Sequence, residues 1–339
     1  MQKYNVAILG CGAIFGRHLA AIDVNSEHYK LVGIFDPITQ LRQKYAQELH
    51  VKEYASEEQV YLDHNINCIV ILSPSSLHYK QALRAIQQKK HVILEKPATF
   101  LAAELVSLES AAKEYGVNIF GVLQVRLNPA VIVAKMAYEQ GLLGHIRSVS
   151  LVQRWQRPQD YFTGWRGSMD SGGGILREFA IHYLDALQFI VGAVPKVTAS
   201  NAFSAKFKDT DVADTLHAMF NFGDFGGMME ISIAAEPKNL ECSLSIMAEN
   251  GFIKLGGKSL DEIIACDFLQ EESCQKFAII QDTVNSRHVA TLVSLGASPY
   301  HPELYRQIIL NPASFTLHET YNVIKLIEQI YACVKTKQC

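Results

Sequence analysis

Short apolar runs and amphipathic stretches alternate over the first third of the chain. The runs are Asn5–Leu9, Leu31–Phe35, Cys68–Leu72, His91–Leu94 and Val117–Leu123. They are rich in Val, Ile and Leu and lack strict alternation, the pattern of strands buried on both faces. Between them the spacing predicts helices over Ile14–Val24, Ile38–Leu49, Ser76–Gln88 and Leu101–Tyr115. Strand–helix–strand alternation predicts a parallel sheet with helices on both sides.

The pattern changes after residue 124. Pro129–Gln140 reads as a helix ended at Gly141, and Ile146–Arg157 as a strand. A Gly-rich break at Ser171-Gly172-Gly173-Gly174 precedes an apolar helix to about Val191. From Lys196 to Gly256 strand-like segments follow one another with turns between them, which predicts a largely antiparallel sheet. Thr316–Lys335 reads as a closing helix, and 257–300 as a long connection. A chain of 339 residues exceeds one ordinary core. The expectation is therefore two domains, 1–124 and 125–339, with the last helix an element that can return to the first.

Candidate chemistry sits at the strand ends. Val6–Leu9 runs into Gly10-Cys11-Gly12 and at once into a helix pattern. That geometry suits a dinucleotide: a tight turn, close backbone approach, and a helix N-terminus facing the pyrophosphate. A third glycine would fall at residue 15, which is Phe, so the helix–strand spacing should be wider. Asp36 ends the next strand, where an acid accepts ribose hydroxyls and repels a 2′-phosphate. It also suits a helix cap before Pro37. These features alone leave NAD and S-adenosylmethionine both open. Two later strands run into Ser73-Pro74-Ser75-Ser76-Leu77-His78 and Glu95-Lys96-Pro97, and neighbouring strands would bring these turns to one crevice. In the later helix, Glu178, His182 and Asp185 share a face by spacing. Carboxylate and imidazole at that spacing can also ligate zinc, but no third and fourth ligand are evident.

Composition removes other classes. Hydrophobic residues make up 49% and charged residues 19%, which is globular. A net charge of −3 and a pI near 6.5 give no basic excess for nucleic acid or an anionic membrane. The N-terminal apolar run is too short for a signal peptide, and no stretch approaches a membrane span. Seven scattered cysteines, without a Cys-x-x-Cys, fit reduced thiols in a cytoplasm.

Taken in order, Gly10-Cys11-Gly12 with His18, Ser73-Pro74 with His78, Glu95-Lys96-Pro97, and Gly172-Gly173-Gly174 followed by His182 and Asp185 resemble the glucose–fructose oxidoreductase/inositol dehydrogenase/rhizopine-catabolism (Gfo/Idh/MocA) family. The resemblance spans nearly the whole chain. It implies an α/β Rossmann domain followed by an α+β domain with a large open, mainly antiparallel sheet, and NAD as cofactor. It implies cofactor contacts at Gly10, Gly12, Ala13, Ile14, Asp36, Ser73, Pro74, His78, Glu95, Lys96 and Gln124. It makes Lys96 and His182 catalytic, with His182 the base, Lys96 orienting the hydroxyl, and Asp185 behind His182. Glu178 stands where the family usually has Asp.

Gln124–Pro129, Arg154–Tyr161 and Gly164–Gly167 resemble the members that oxidise the 3-hydroxyl of UDP-N-acetylglucosamine or its uronic acid for surface-glycan and lipopolysaccharide synthesis. The implied substrate contacts are Lys96, Arg126, Asn128, Arg157, Trp165, Arg166, Glu178 and His182. Arginine forks suit diphosphate or carboxylate, and Trp155, Tyr161 and Trp165 offer stacking faces. A free sugar, inositol or other polyol is the rival substrate. A non-catalytic NAD-binding sensor is the rival from another class, against which Lys96 and His182 both stand. A methyltransferase would leave Lys96 unexplained. The open sheet implies a homodimer or homotetramer.

Overall fold

The computed structural model describes residues 3–292 and 300–336. By contact the chain divides into Met1–Gln124 with Leu295–Tyr321, and Val125–Ser294 with Asn322–Cys339.

The first unit runs β1 (Tyr4–Leu9), α1 (Phe15–Val24), β2 (Tyr29–Phe35), α2 (Thr39–Leu49), β3 (Lys52–Glu53), α3 (Glu57–Leu62), β4 (Cys68–Ile71), α4 (His78–Gln87), β5 (His91–Leu94), α5 (Ala102–Tyr115) and β6 (Ile119–Gly121). The strands pair in parallel in the order β3-β2-β1-β4-β5-β6. That is the doubly wound order of dinucleotide folds. All four residues of β4 and the last three of β5 are buried, which explains their unbroken apolar runs. The sequence pattern does not show β3 and α3. β3 is two exposed charged residues. α3 is a short helix started by Ser56, whose side chain accepts from the Gln59 N–H, with Glu57 and Glu58 in the first turn.

The second unit begins with α6 (Pro129–Glu139) and β7 (Ile146–Arg154). A π-helical turn, Leu176–Ala180, leads into α7 (Ile181–Val191). Six strands follow: β8 (Lys196–Phe203), β9 (Thr215–Asn221), β10 (Gly226–Ser232), β11 (Glu241–Ala248), β12 (Gly251–Gly256) and β13 (Glu262–Phe268). The sheet order is β13-β12-β11-β7-β10-β9-β8. Only β7 and β10 pair in parallel; the other pairs are antiparallel. Burial alternates along β7, β9 and β10, so one face is packed and the other open. The open face carries Phe203, Met219, Met228, Met247 and Phe252, each more than two-fifths exposed.

The stretch expected as a long connection contains β13 and α8 (Glu271–Leu292). β13 is an edge strand with only Phe268 buried, so its sequence shows no alternation. α8 buries Phe277, Ile280 and Val284, a sparse stripe in a polar helix. The part of that stretch at 293–299 lies outside the described residues. The chain then returns: α9 (Tyr300–Leu310) belongs to the first unit and packs on α1. There the Asn25 amide donates to Pro302 O at 3.0 Å, and Tyr29 OH to Tyr305 O at 3.0 Å. So the element that returns to the first unit is α9. The last helix, α10 (Tyr321–Thr336), starts later than expected, after a 3-10 turn at Leu317–Thr320.

No helix among the described residues is long and apolar enough to cross a membrane. Cys11, Cys68, Cys242, Cys266 and Cys274 are free thiols.

Candidate functional site

In the first unit β1 delivers the chain to Gly10 with φ +98°, a conformation glycine tolerates. A Cβ there would stand 2.9 Å from the Leu72 carbonyl and the Ser73 nitrogen, so the β1 turn can touch the β4 turn only through glycine. At Gly12 a Cβ would meet nothing within 4 Å, which leaves open space beside the turn. Ala13 and Ile14 lead into α1, whose start has no side-chain cap. Its first N–H groups therefore suit an anionic ligand. Phe15 is 2% exposed and its ring packs 4.8 Å from that of Tyr45, filling the α1–α2 seam where a third glycine was expected. Asp36 accepts the Cys11 N–H at 2.8 Å on one oxygen and the Ile38 N–H at 2.9 Å on the other. It thus ties the end of β2 to the turn and starts α2. A carboxylate has about four lone-pair directions, so capacity remains for ribose hydroxyls. Burial, and then the charge of Asp36, push the Cys11 thiol up to about 12.

The turns after β4 and β5 are held together from behind. The buried ring of His78 lies 2.9 Å from Ser73 O and 2.8 Å from Pro97 O. Pro74 opens the 3-10 turn that precedes α4. Glu95 accepts the Lys96 N–H at 2.8 Å on Oε2. Its Oε1 lies 3.0 Å from His18 Nε2 and 3.5 Å from His301 Nε2. His18 Nδ1 is 2.8 Å from Tyr305 OH. Burial alone would raise the Glu95 pKa, but the bonds and charges of the two histidines hold it well below the ordinary carboxylate range. Lys96 is half-buried, and Gln124 is buried with an Oε1 that has no hydrogen-bond partner. His18, Glu95 and His301 each bring one ligand atom within 4.8 Å of the others. His301 and Tyr305 escape sequence reasoning because they arrive on α9, far along the chain, in a segment with no readable motif.

In the second unit, guanidinium groups and aromatic rings interleave. Arg157 lies over Trp155 at 4.8 Å, Phe179 at 4.8 Å and Tyr161 at 5.5 Å. Arg166 lies over Trp165 at 4.4 Å and Tyr161 at 5.2 Å. The faces expected to stack on a ligand thus carry the protein's own cations. Glu178 accepts from Tyr161 OH at 2.8 Å and stands 3.6 Å from Arg166 Nε. Burial and the Glu178 charge push Tyr161 up to about 12. Gly172 permits the fold of this loop, since a Cβ there would stand 2.8 Å from Trp165 O and from the Arg166 Cα. His182, half-buried, is the second residue of α7, and the π-helical turn shifts its register relative to Glu178.

Four polar residues of this unit form bonds within the protein. Arg126 forms a fork with Asp185, at 2.8 and 2.7 Å, and lies 4.9 Å from the centre of the Phe189 ring. Asp185 thus accepts from a guanidinium on both of its oxygens. Asn128 is fully buried, and its amide donates to Ser259 O at 2.7 Å. Arg154 pairs with Glu230 at 2.6 Å and Glu241 at 3.0 Å.

Similarity to known proteins adds to this geometry. The model of an oxidoreductase family with an NAD-binding Rossmann fold, GFO_IDH_MocA, matches residues 4–122. The GFO/IDH/MocA C-terminal domain matches residues 131–254. The WlbA dehydrogenase from Bordetella pertussis, solved in complex with NADH and UDP-GlcNAcA, is 26% identical with TM-score 0.86, over 99% of this chain and 97% of that one. Levoglucosan dehydrogenase in complex with NADH and levoglucosan has TM-score 0.81 and 18% identity, over 99% and 98%. The 2,7-anhydro-N-acetylneuraminate hydratase of Escherichia coli (strain K12) is 26% identical over 57% of this chain and 50% of that protein. The scyllo-inositol 2-dehydrogenase (NADP(+)) IolW of Bacillus subtilis (strain 168) is 27% identical over 49% and 46%. The chain spans about half the length of these curated relatives.

Proposed function

This chain belongs to the Gfo/Idh/MocA family of NAD-binding oxidoreductases, and on that premise we propose that it oxidises the 3-hydroxyl of UDP-N-acetylglucosamine or its uronic acid, a step of surface-glycan synthesis. The observation that carries the substrate class is the interleaved cluster of Arg157 and Arg166 with Trp155, Tyr161, Trp165 and Phe179. Two guanidinium groups held on aromatic faces match the diphosphate or carboxylate of a nucleotide sugar. A neutral polyol gives them nothing to neutralise.

The residues fit NAD. Gly10 and Gly12 leave backbone room, Ala13 and Ile14 lead into an uncapped helix, and Asp36 favours a free ribose over a 2′-phosphate. Ser73, Pro74, His78, Glu95 and Gln124 shape the neighbouring strand ends. NAD supplies the hydride acceptor. Lys96 orients the hydroxyl and stabilises charge developing on its oxygen. His182 takes the proton, a task imidazole suits near neutral pH. Glu178 and Trp165 join Arg157 and Arg166 in holding the sugar nucleotide. Arg126, Asn128 and Asp185 are assigned to scaffolding, because their bonds already serve the fold. The open sheet face, with Met219, Met228 and Met247, is assigned to self-association in a homo-oligomer.

The test is mass spectrometry of the chain incubated with NAD and a panel of UDP-sugars, inositols and anhydrosugars. A product of UDP-N-acetylglucosamine or its uronic acid lighter by two hydrogens is expected. Oxidation of a free polyol alone would replace the nucleotide-sugar reading. A product heavier by one water would point to hydration, the activity named for one relative.

A further inference from the structure

Three hydrogen bonds run in series from α9 to the Lys96 peptide, all within the first unit. Tyr305 OH is 2.8 Å from His18 Nδ1, His18 Nε2 is 3.0 Å from Glu95 Oε1, and the Lys96 N–H meets Glu95 Oε2 at 2.8 Å. His18 and Tyr305 are fully buried and Glu95 is 6% exposed, so each polar atom must be satisfied by protein. One assignment satisfies the chain throughout. Tyr305 donates its O–H, neutral His18 accepts at Nδ1 and donates from Nε2, and ionised Glu95 accepts at both oxygens. The electrostatics agree. Burial raises Tyr305 well above the ordinary phenol range. Burial lowers His18, against the opposing bond from Glu95, with the charges of His301 and Arg17 adding to the lowering. Tyr305 is itself fixed, since Tyr29 OH donates to its carbonyl.

We propose that Tyr305 and His18 are positioning residues for Lys96: Tyr305 locks the tautomer of His18, His18 fixes the Glu95 carboxylate, and the free edge of that carboxylate sets the Lys96 peptide. This rests on the role of Lys96 in the proposed reaction. A transition metal held by His18, Glu95 and His301 is the competing occupant of the same space. It would account for His301, whose Nδ1 has no hydrogen-bond partner and whose Nε2 stands 3.5 Å from Glu95 Oε1. Against it, His18 Nε2 and Glu95 Oε1 are already at hydrogen-bond distance, and the other oxygen of Glu95 and the other nitrogen of His18 are engaged by protein groups.

Tyr305→Phe removes one hydroxyl and keeps the ring. Nitrogen-15 histidine NMR of the full chain, with His18 assigned by His18→Gln, is expected to show the Nε2–H tautomer in the parent and a mixture in Tyr305→Phe. Turnover of whichever sugar or polyol the chain oxidises should fall about tenfold, with NAD affinity unchanged. The same substitution in a Lys96→Met background should cost nothing further, because both act through one group. Losses that add in full would overturn the proposal, since a purely structural role predicts them. So would an Nδ1–H tautomer in the parent, or one equivalent of bound metal by elemental analysis. Parent-level turnover in Lys96→Met alone would sink the Lys96 assignment itself. Additive losses on top of an impaired Lys96→Met would sink only the positioning.

Discussion

Glu95 and Glu178 are two carboxylates with opposite surroundings. Glu95 is sealed, with Oε1 toward two imidazoles and Oε2 on a peptide N–H. Glu178 has a side chain 15% exposed, accepts from a tyrosine hydroxyl and lies 3.6 Å from a guanidinium nitrogen. The sealed acid cannot exchange partners without leaving a buried charge uncompensated. The half-open acid can, because Arg166 and Tyr161 are long side chains near solvent. Rigid polar bonding marks the part of the first unit that sets geometry. Loose polar bonding marks the part of the second unit suited to meet a ligand.

The largest expected effect separates the two directly. Glu95→Ala leaves the N–H groups of buried His18 and of Lys96 without their acceptor and should cost about 3 kcal/mol, at about 1–3 for each unsatisfied donor. Glu178→Ala breaks a partly solvated contact and should cost under about 1 kcal/mol. Urea denaturation of the two variants measures both. Similar losses would mean that Glu178 is as structural as Glu95.

Next in size is Lys96→Met. The turn that carries Lys96 is held by His78 and Glu95, so the fold should survive the change. Turnover should fall by about 10²-fold while NAD affinity stays at the parent level. His182→Asn should do the same from the second unit. Undiminished turnover in either variant would remove that residue from the chemistry.

Which half of this contrast the sequence reveals follows from how each half is built. The parallel sheet is legible because β1, β4 and β5 are buried on both faces and so are written as unbroken Val, Ile and Leu. The Gly10 turn and the Glu95-Lys96-Pro97 turn are legible because each is local in sequence. The open sheet is legible from strand-like segments that follow one another with turns between them and no helices. What stays hidden is non-local. Tyr305 reaches His18, and His301 reaches Glu95, each across more than two hundred residues, and nothing near them marks the contact. Arg126 looks like a ligand group by type and Asp185 like a partner of His182, and only three-dimensional proximity shows the bonds between them. Asn128 is hidden for the same reason. The face shared by Glu178 and His182 was read on an ideal helix, and the π turn changes that register.

A smaller effect is expected where the arginines are compared among themselves. Arg157 stacks on three rings and donates to the backbone oxygen of Gln156, with no carboxylate among its described contacts. Arg157→Met should raise KM for an anionic substrate about tenfold with kcat little changed, the pattern of lost uniform binding. Arg154 is already paired with Glu230 and Glu241, so Arg154→Met should leave KM where it was. Steady-state kinetics on the same substrate reads both. Equal effects would contradict the assignment of Arg157, and not Arg154, to the ligand.

The smallest expected effect is a pH dependence of stability, which tests the sealed side of the contrast alone. The folded-state pKa values of His18 and His78 are lowered by burial, against opposing hydrogen bonds. That of Glu95 is lowered by its histidine partners, which outweigh its burial. In all three cases the unfolded chain takes up protons first. Stability is therefore complete above the unfolded values and is lost as pH falls, from about 6.5 for the histidines and from about 4.3 for Glu95. Each titrating group contributes at most about 1.4 kcal/mol per pH unit. On the alkaline side the raised Cys11 thiol acts in the opposite sense, with stability present below about 8.5 and lost as pH rises toward its folded value. Urea midpoints measured from pH 8 down to pH 4 should fall steadily, with the slope steepening at the acid end. Glu95→Gln should lie lower throughout and lose that final steepening, because the group responsible for it no longer titrates. A parent and a Glu95→Gln curve that run parallel below pH 5 would show that Glu95 is not held as a carboxylate, and the contrast with Glu178 would lose its electrostatic basis.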